Sequence, residues 1–229
     1  MSAPLGDLRS DQVAEGALLA VPVGSTEQHG PHLPLSTDTL IAMALCERFA
    51  ELRPGVVVAP QVAYGSSGEH AGFDGTLSIG QEATEHLLIE LGRSAADSYR
   101  QVVFVSAHGG NAEPLERAVR VLRDEGREVL GWSPTWSGDA HAGRVETSLM
   151  LAIRPDLVAL EAARPGNTAP LDQLIDELRE RGVAPVSPNG VLGDPDGASR
   201  DQGERLLSRA AMDLADVATR WLEPEPAHG

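Results

Sequence analysis

The sequence predicts an α/β domain, a three-layer sandwich with a mainly parallel sheet flanked by helices. Three observations carry that prediction. Short, continuously apolar β-type runs alternate with longer stretches of helical periodicity, as expected for strands buried on both faces. The 229 residues suffice for one large core and leave little room for a second. No internal repeat, low-complexity tract or linker divides the chain, so residues 1–229 are expected to form one domain.

The elements follow in order. Residues 18–23 read as a buried strand that stops at Gly24. Leu40, Ala44, Leu45 and Phe49 recur at helical spacing behind Ser36, Thr37 and Asp38, which occupy a possible N-cap. A second strand over 56–59 is stopped by Pro60, and the glycine-rich stretch 64–80 is too long and irregular for a simple turn. Leu87, Leu88 and Leu91 mark a helix face. A third strand, 102–105, runs directly into His108-Gly109-Gly110-Asn111. Leu115, Val119 and Leu122 give the next helix, 129–132 a fourth strand, and 145–153 a short helix that Pro155 limits. Helices are expected near 171–181 and over 199–221, with residues 222–229 a frayed tail.

Composition narrows the function. Against 18 basic residues stand 34 acidic ones, a net charge of −16, which repels phosphate backbones and anionic lipid. Nucleic acid and membrane surfaces are therefore not expected as partners. No stretch approaches the roughly 20 apolar residues of a membrane span, and no signal peptide opens the chain, so a cytoplasmic location is expected. The single cysteine, Cys46, sits in an apolar helical pattern and reads as core filler.

The chemistry concentrates in three loops. Glu27 and His29, two residues apart, follow the first strand, and Asp38 could reach back from the next helix. Sites in parallel sheets form beyond the carboxyl ends of strands. His108 follows the third strand directly. Asp139, His141 and Glu146 form the third group, Glu146 near a helix start where the dipole also favours a carboxylate. The competing reading of Asp38 is an N-cap, which the nearness of Glu27 and His29 makes the weaker one. The His-Gly-Gly stretch matches the oxyanion loop of some serine hydrolases, but the required G-x-S-x-G is absent, as is a zincin H-E-x-x-H. Carboxylates and histidines without cysteine suit Zn²⁺, Mn²⁺ or Fe²⁺. A bridging carboxylate such as Asp38 would place two such ions roughly 3.5–4 Å apart. His86, in a helical pattern, and His228, in the tail, read as uninvolved.

The run from Val21 through Gly24-Ser25-Thr26-Glu27-Gln28-His29-Gly30-Pro31-His32 resembles the signature of the creatininase family. So do His108-Gly109-Gly110-Asn111 and His141-Ala142-Gly143-Arg144-Val145-Glu146-Thr147, in the same order. The resemblance implies a metal-dependent amidohydrolase with two divalent ions. Glu27, His29, Asp38 and His108 match the family's ligands, Asp38 as the bridge. Creatininase carries a further glutamate ligand two residues after the histidine of the second motif; here that position is Gly110. Glu146 is the candidate to complete the second ion's shell, and His141 or Glu146 the candidate to pass a proton to the leaving amine.

Stretches outside the metal motifs sharpen the resemblance: Tyr64 to His70, Gly75 to Gly80, Gly166 to Leu171 and Ser187 to Pro195. They are similar to the family branch that cleaves a modified ribosomal precursor peptide during redox-cofactor maturation. That branch releases a fragment built from the C-terminal valine and tyrosine. The resemblance implies such a peptide as partner and a homo-oligomer with the 66–74 loop near a neighbour's pocket. Tyr64, Phe73, Trp132 and Trp136 lie near the motif loops, with core packing the competing reading for each, and Tyr64, His70 and Trp136 are the candidate substrate contacts. The rivals are hydrolysis of a small cyclic amide or formamide by the same ions, and a metal- or peptide-binding module without turnover.

Overall fold

The computed structural model describes residues 4–14 and 16–223; the tail expected to fray lies outside these from residue 224 on. Four strands form one parallel sheet in the order β2-β1-β3-β4: β1 (Leu18–Val23), β2 (Val56–Val58), β3 (Gln101–Ser106) and β4 (Val129–Trp132). Leu18 pairs with Gln101 and Val23 with Ser106, so β1 and β3 end together and release their loops at one edge. Pro22 is tolerated in this inner strand because β2 has already ended at Val58; its carbonyl accepts from Val62 N at 2.9 Å.

The apolar runs divide strictly by side-chain alternation. Leu18, Ala20, Val103, Val105 and Leu130 face α1 (Thr37–Leu52), α4 (Arg144–Ile153) and α7 (Arg200–Leu222), meeting Ile41, Phe49, Leu149, Leu207 and Leu214. Leu19, Val21, Val102 and Phe104 face α2 (Gly80–Ala95) and α3 (Ala112–Asp124), meeting Leu88, Leu115 and Leu122. This is the expected three-layer sandwich. Phe104, fully buried on its face, contributes about 1.5–3 kcal/mol through area removed from water. Cys46 is buried in the α1 layer, as its pattern predicted.

The helices match their sequence signals closely, with one difference. On α2 the buried face is Thr84, Leu88, Ile89 and Gly92, whereas Leu91 is exposed. A smaller cluster joins α5 (Leu171–Arg181) and α6 (Val183–Val186) through Leu174, Leu178, Val183 and Leu192, with Phe73 packed against it. It anchors the glycine-rich 64–80 segment, which is irregular apart from a 3-10 turn at Gly68–His70. Among the described residues no helix is long and apolar enough to cross a membrane.

Candidate metal centre

All three chemistry-bearing loops converge at the carboxyl edge of the sheet. The first leaves β1, the second leaves β3 and the third follows β4 and opens α4. Asp38 lies in the first turn of α1, and Ser36, at the cap position, makes no side-chain cap hydrogen bond. Asp38 is no cap: its carboxylate turns inward and is fully buried. Its Oδ1 lies 3.2 Å from His29 Nε2 and its Oδ2 lies 3.1 Å from His108 Nδ1, one oxygen toward each imidazole. Ser25 Oγ donates to Oδ2 at 2.7 Å, and Thr39 Oγ1 donates to Ser25 O at 2.8 Å, which ties the loop to the helix. That division of the two oxygens suits a bridging carboxylate.

Glu27 sits on the other side of the His108 imidazole, against His70. His108 Nε2 lies 3.2 Å from its Oε2 and His70 Nε2 3.3 Å from its Oε1. Neither contact has hydrogen-bond geometry: both Glu27 oxygens are buried without a hydrogen-bond partner. A carboxylate buried without hydrogen bonds is costly, and a bound cation would remove the cost. His29 presents its Nδ1 to its neighbour's backbone, Glu27 O, at 3.1 Å, so Nε2 is turned toward Asp38 and Glu146. Orienting one ring nitrogen by a carbonyl leaves the other aimed at a metal. Glu146 Oε2 stands 3.9 Å from His29 Nε2 and accepts from Ala142 N at 2.5 Å. Ala142 holds φ 52, a left-handed backbone that is strained for a residue with a Cβ and that aims its N–H at the carboxylate.

Three sets of ligand atoms each lie within 4.8 Å of one another: Glu27, His29 and His141; Glu27, Glu69 and His108; His29, Asp38 and Glu146. The donor set therefore fits divalent cations, and the orphaned Glu27 oxygens agree with it. The electrostatics are those of an anionic cavity. Burial opposes the charge on His29, but Asp38, Glu146 and Glu27 overcome it and push its pKa up to about 10. His108 is likewise driven up, against burial, by Glu27 and Asp38. Burial, helped by the Asp38 and Glu27 charges, raises the Glu146 carboxyl to about 7, although His29 pulls the other way. Cation uptake must displace the imidazolium protons.

His141 stands among these groups rather than free in a loop. Its backbone pairs with Leu192, and its Nε2 lies 2.8 Å from Gln28 O, so that nitrogen carries the proton. Its Nδ1 then faces Glu27 Oε1 at 3.9 Å as an acceptor. Burial, then the His29 and His70 charges, hold it well below its ordinary pKa and keep the ring neutral. His70 is buried as well, with Gln28 Nε2 at 2.8 Å from its Nδ1, so it forms a wall of the cluster. Burial, with His29 and His108, lowers its pKa to about 3. Tyr64 is about half exposed, and Trp136 is half-buried against the α1–α7 core. Trp132 packs in the core and donates to Asp213 at 3.1 Å. His86 is exposed on α2, and His228 lies outside the described residues.

Two site residues escaped the sequence reading. Gln28 joins the His70 and His141 rings, the first through its side-chain amide and the second through its backbone carbonyl, and its amide also reaches Gly190 O at 3.1 Å, although only its place between Glu27 and His29 hinted at it. Glu69 reaches within 3.7 Å of His108 Nε2 from a glycine-rich loop with no periodicity; its adjacency to His70 was the available signal. An open groove of about 590 Å³ beside α3 and edge strand β4, lined by Glu116, Arg120 and Trp132, contains none of these groups.

A parallel α/β sandwich with a buried carboxylate–histidine cluster at the strand ends is the arrangement of a metal-dependent hydrolase. The creatininase family model, described as creatinine amidohydrolase, matches residues 7–218, and the chain belongs to the creatininase family. It is 52% identical over 211 residues to the mycofactocin precursor peptide peptidase of Mycolicibacterium smegmatis, covering 89% of this chain and 85% of that one. To the peptidase of the same name from Mycobacterium ulcerans it is 50% identical over 213 residues, covering 89% and 85%. A solved manganese creatininase superposes with a TM-score of 0.80 at 30% identity, over 98% of this chain and all of that one.

Proposed function

We propose that this chain is a metal-dependent peptidase that removes the C-terminal Val-Tyr-derived portion of a modified mycofactocin precursor peptide. One observation carries the reading: identity is 52% to a mycofactocin precursor peptide peptidase and 30% to a creatininase of the same fold. The four ligand positions that match the family motif also lie together in a fully buried cluster.

Glu27, His29, Asp38 and His108 would hold two divalent ions, Zn²⁺, Fe²⁺ or Mn²⁺, with Asp38 between them and Glu146 completing one shell. When bound, the ions supply an activated water and polarise the scissile carbonyl. The protein's own part is to place and move protons. Glu146 Oε2 is held by the Ala142 N–H, which fixes the carboxylate toward His29 as a ligand or, alternatively, as a group that would pass a proton to the leaving amine. His141, neutral and held through Nε2–H by Gln28 O, has Nδ1 free to take up a proton first and then return it to the leaving amine. Ser25 keeps Asp38 in register, the Gln28 amide does so for His70, and the Gln28 carbonyl for His141. Tyr64 and Trp136 are the candidate contacts of the aromatic end.

The enzyme acts in the cytoplasm as a homo-oligomer in this reading. Leu35, Tyr64, Leu77 and Ile79 are exposed on and beside the 64–80 segment, which supports a subunit contact there. Sedimentation that finds a fully active monomer would refute the assembly. The substrate is tested by competition between modified peptide, unmodified peptide and creatinine, with products identified by mass. Faster turnover of creatinine would assign the chain to the cyclic-amide branch; binding without turnover in the presence of metal would make it a binding module.

A further inference from the structure

The segment 65–70 closes over the turn that follows His108. A Cβ built on Gly110 would lie 2.1 Å from Ser66 O, 2.5 Å from Glu69 Oε1 and 2.5 Å from His108 Nε2. Real Cβ atoms do not approach backbone so closely, so position 110 admits no side chain. The space beside the His108 ring that such a side chain would enter is taken by the Ser66 carbonyl and the Glu69 carboxylate. The segment is pinned there: Asn111 Oδ1 accepts from Ser66 N at 2.9 Å, and Asn111 Nδ2 donates to Gly24 O at 2.9 Å.

Glu69 thus arrives from a separate loop at the face of the cluster that β3 cannot furnish. Its Oε1 is 3.7 Å from His108 Nε2, and that histidine is its ionic partner among the described residues. Glu27, whose oxygens are buried without hydrogen bonds, shares the same nitrogen at 3.2 Å. Ligand atoms of Glu27, Glu69 and His108 all lie within 4.8 Å of one another, a carboxylate–imidazole set that a divalent cation would suit.

We propose that Glu69 is a metal-holding carboxylate of this chain, acting with Glu27 and His108 on the side of Asp38 away from Glu146. It takes the place that Gly110 leaves to the 66–69 segment. This rests on the metal-dependent reading above and adds a residue to it. The test is calorimetric titration of Mn²⁺ and Zn²⁺ into chelator-stripped wild type, Glu69→Gln and an exposed control, Glu82→Gln, with retained ions counted by mass spectrometry. Glu69→Gln should bind one of two ions roughly 10- to 100-fold more weakly, while the other ion and the metal-free melting temperature stay unchanged. Glu82→Gln should match wild type. Wild-type affinity for both ions in Glu69→Gln overturns the proposal, as does equal loss of both. If the amide variant does not fold, Glu69→Ala is held to the same two criteria. Wild type that binds neither ion would instead refute the metal-dependent reading itself, a result separate from any difference between variants.

Discussion

Ala20 and Val23 in β1 are as fully buried as Glu27 and His29 a few residues later, yet the two segments are buried for opposite reasons. The strand residues lie among apolar side chains of two helical layers, and removing them from water is what stabilises the sheet. The loop residues are enclosed by the 64–70 and 187–193 segments and keep ionised groups where none is favoured. Glu27 has no hydrogen bond for either oxygen, and His29 carries its proton up to a pKa of about 10. The core is complete in itself; the cluster leaves both Glu27 oxygens without a hydrogen-bond partner. Equal burial therefore separates a region that builds the fold from one that the fold is built to hold.

The largest effect should come from the residue that faces both halves of the cluster. Asp38→Ala should lose both ions and several kcal/mol of transition-state stabilisation, roughly a thousandfold in turnover. Metal analysis alongside rate measurement checks it, and undiminished metal with full activity would break the contrast drawn above. In the core, Phe104→Ala should cost about 3–5 kcal/mol of unfolding free energy by leaving a cavity. Denaturant titration measures that loss, and whatever folded fraction remains should still take up metal. A metal-binding defect matching the stability loss in size would show the two regions to be coupled. His141→Ala should retain metal and slow turnover at least roughly a hundredfold, as loss of a proton-transfer group does. If it emptied the site, His141 would be a ligand, consistent with its place beside Glu27 and His29.

The pH response should separate the regions without mutation. In metal-free protein the His29 pKa of about 10 exceeds its ordinary 6.5, so the folded state holds this proton more tightly than the unfolded chain. That stabilisation is full below about 6.5 and disappears as pH rises through about 10. Glu146, raised to about 7 from 4.5, has the same sign and loses its share over that lower window. Metal-free protein should therefore melt progressively lower from pH 6.5 to 10, and metal-loaded protein should not, since the ion has displaced the proton. Parallel slopes with and without metal would place the titration elsewhere.

Most of the architecture was legible because it depends on local patterns. Apolar runs such as 102–105 announced strands buried on both faces, and Pro155 marked the limit of α4. The candidate ligands were legible as a motif, since Glu27, His29 and Asp38 belong to one strand–loop–helix unit, and the structure brings these three together. What could not be read is what depends on convergence. Glu69 sits in a segment without periodicity and gains meaning only where that segment folds over Gly110. The orientation of His141 is set by a carbonyl 113 positions away in sequence. The N-cap alternative for Asp38, weaker beside Glu27 and His29, is excluded only by its oxygens facing two histidines.

The smallest effect tests where tertiary packing overrode a correct period. Leu87, Leu88 and Leu91 share one side of α2, but the face that the sheet covers is centred on Leu88 and Gly92. At 100° per residue, Leu91 lies roughly a quarter-turn from that centre. The cause is the close approach of α3: a Cβ on Gly92 would lie 2.4 Å from Leu122 Cδ1, so α2 turns Gly92 toward α3 and Leu91 toward water. Leu91 is 40% exposed and Leu88 is 0% exposed. Leu88→Ala should then cost about 2–5 kcal/mol, the range for an emptied core site. Leu91→Gln should stay within about 0.5 kcal/mol of wild type, because glutamine is a comparable helix former and little apolar area is lost. Denaturant midpoints of the two variants decide it. A Leu91→Gln loss approaching that of Leu88→Ala would mean that α2 is rotated back toward the leucine face, with Gly92 no longer against Leu122.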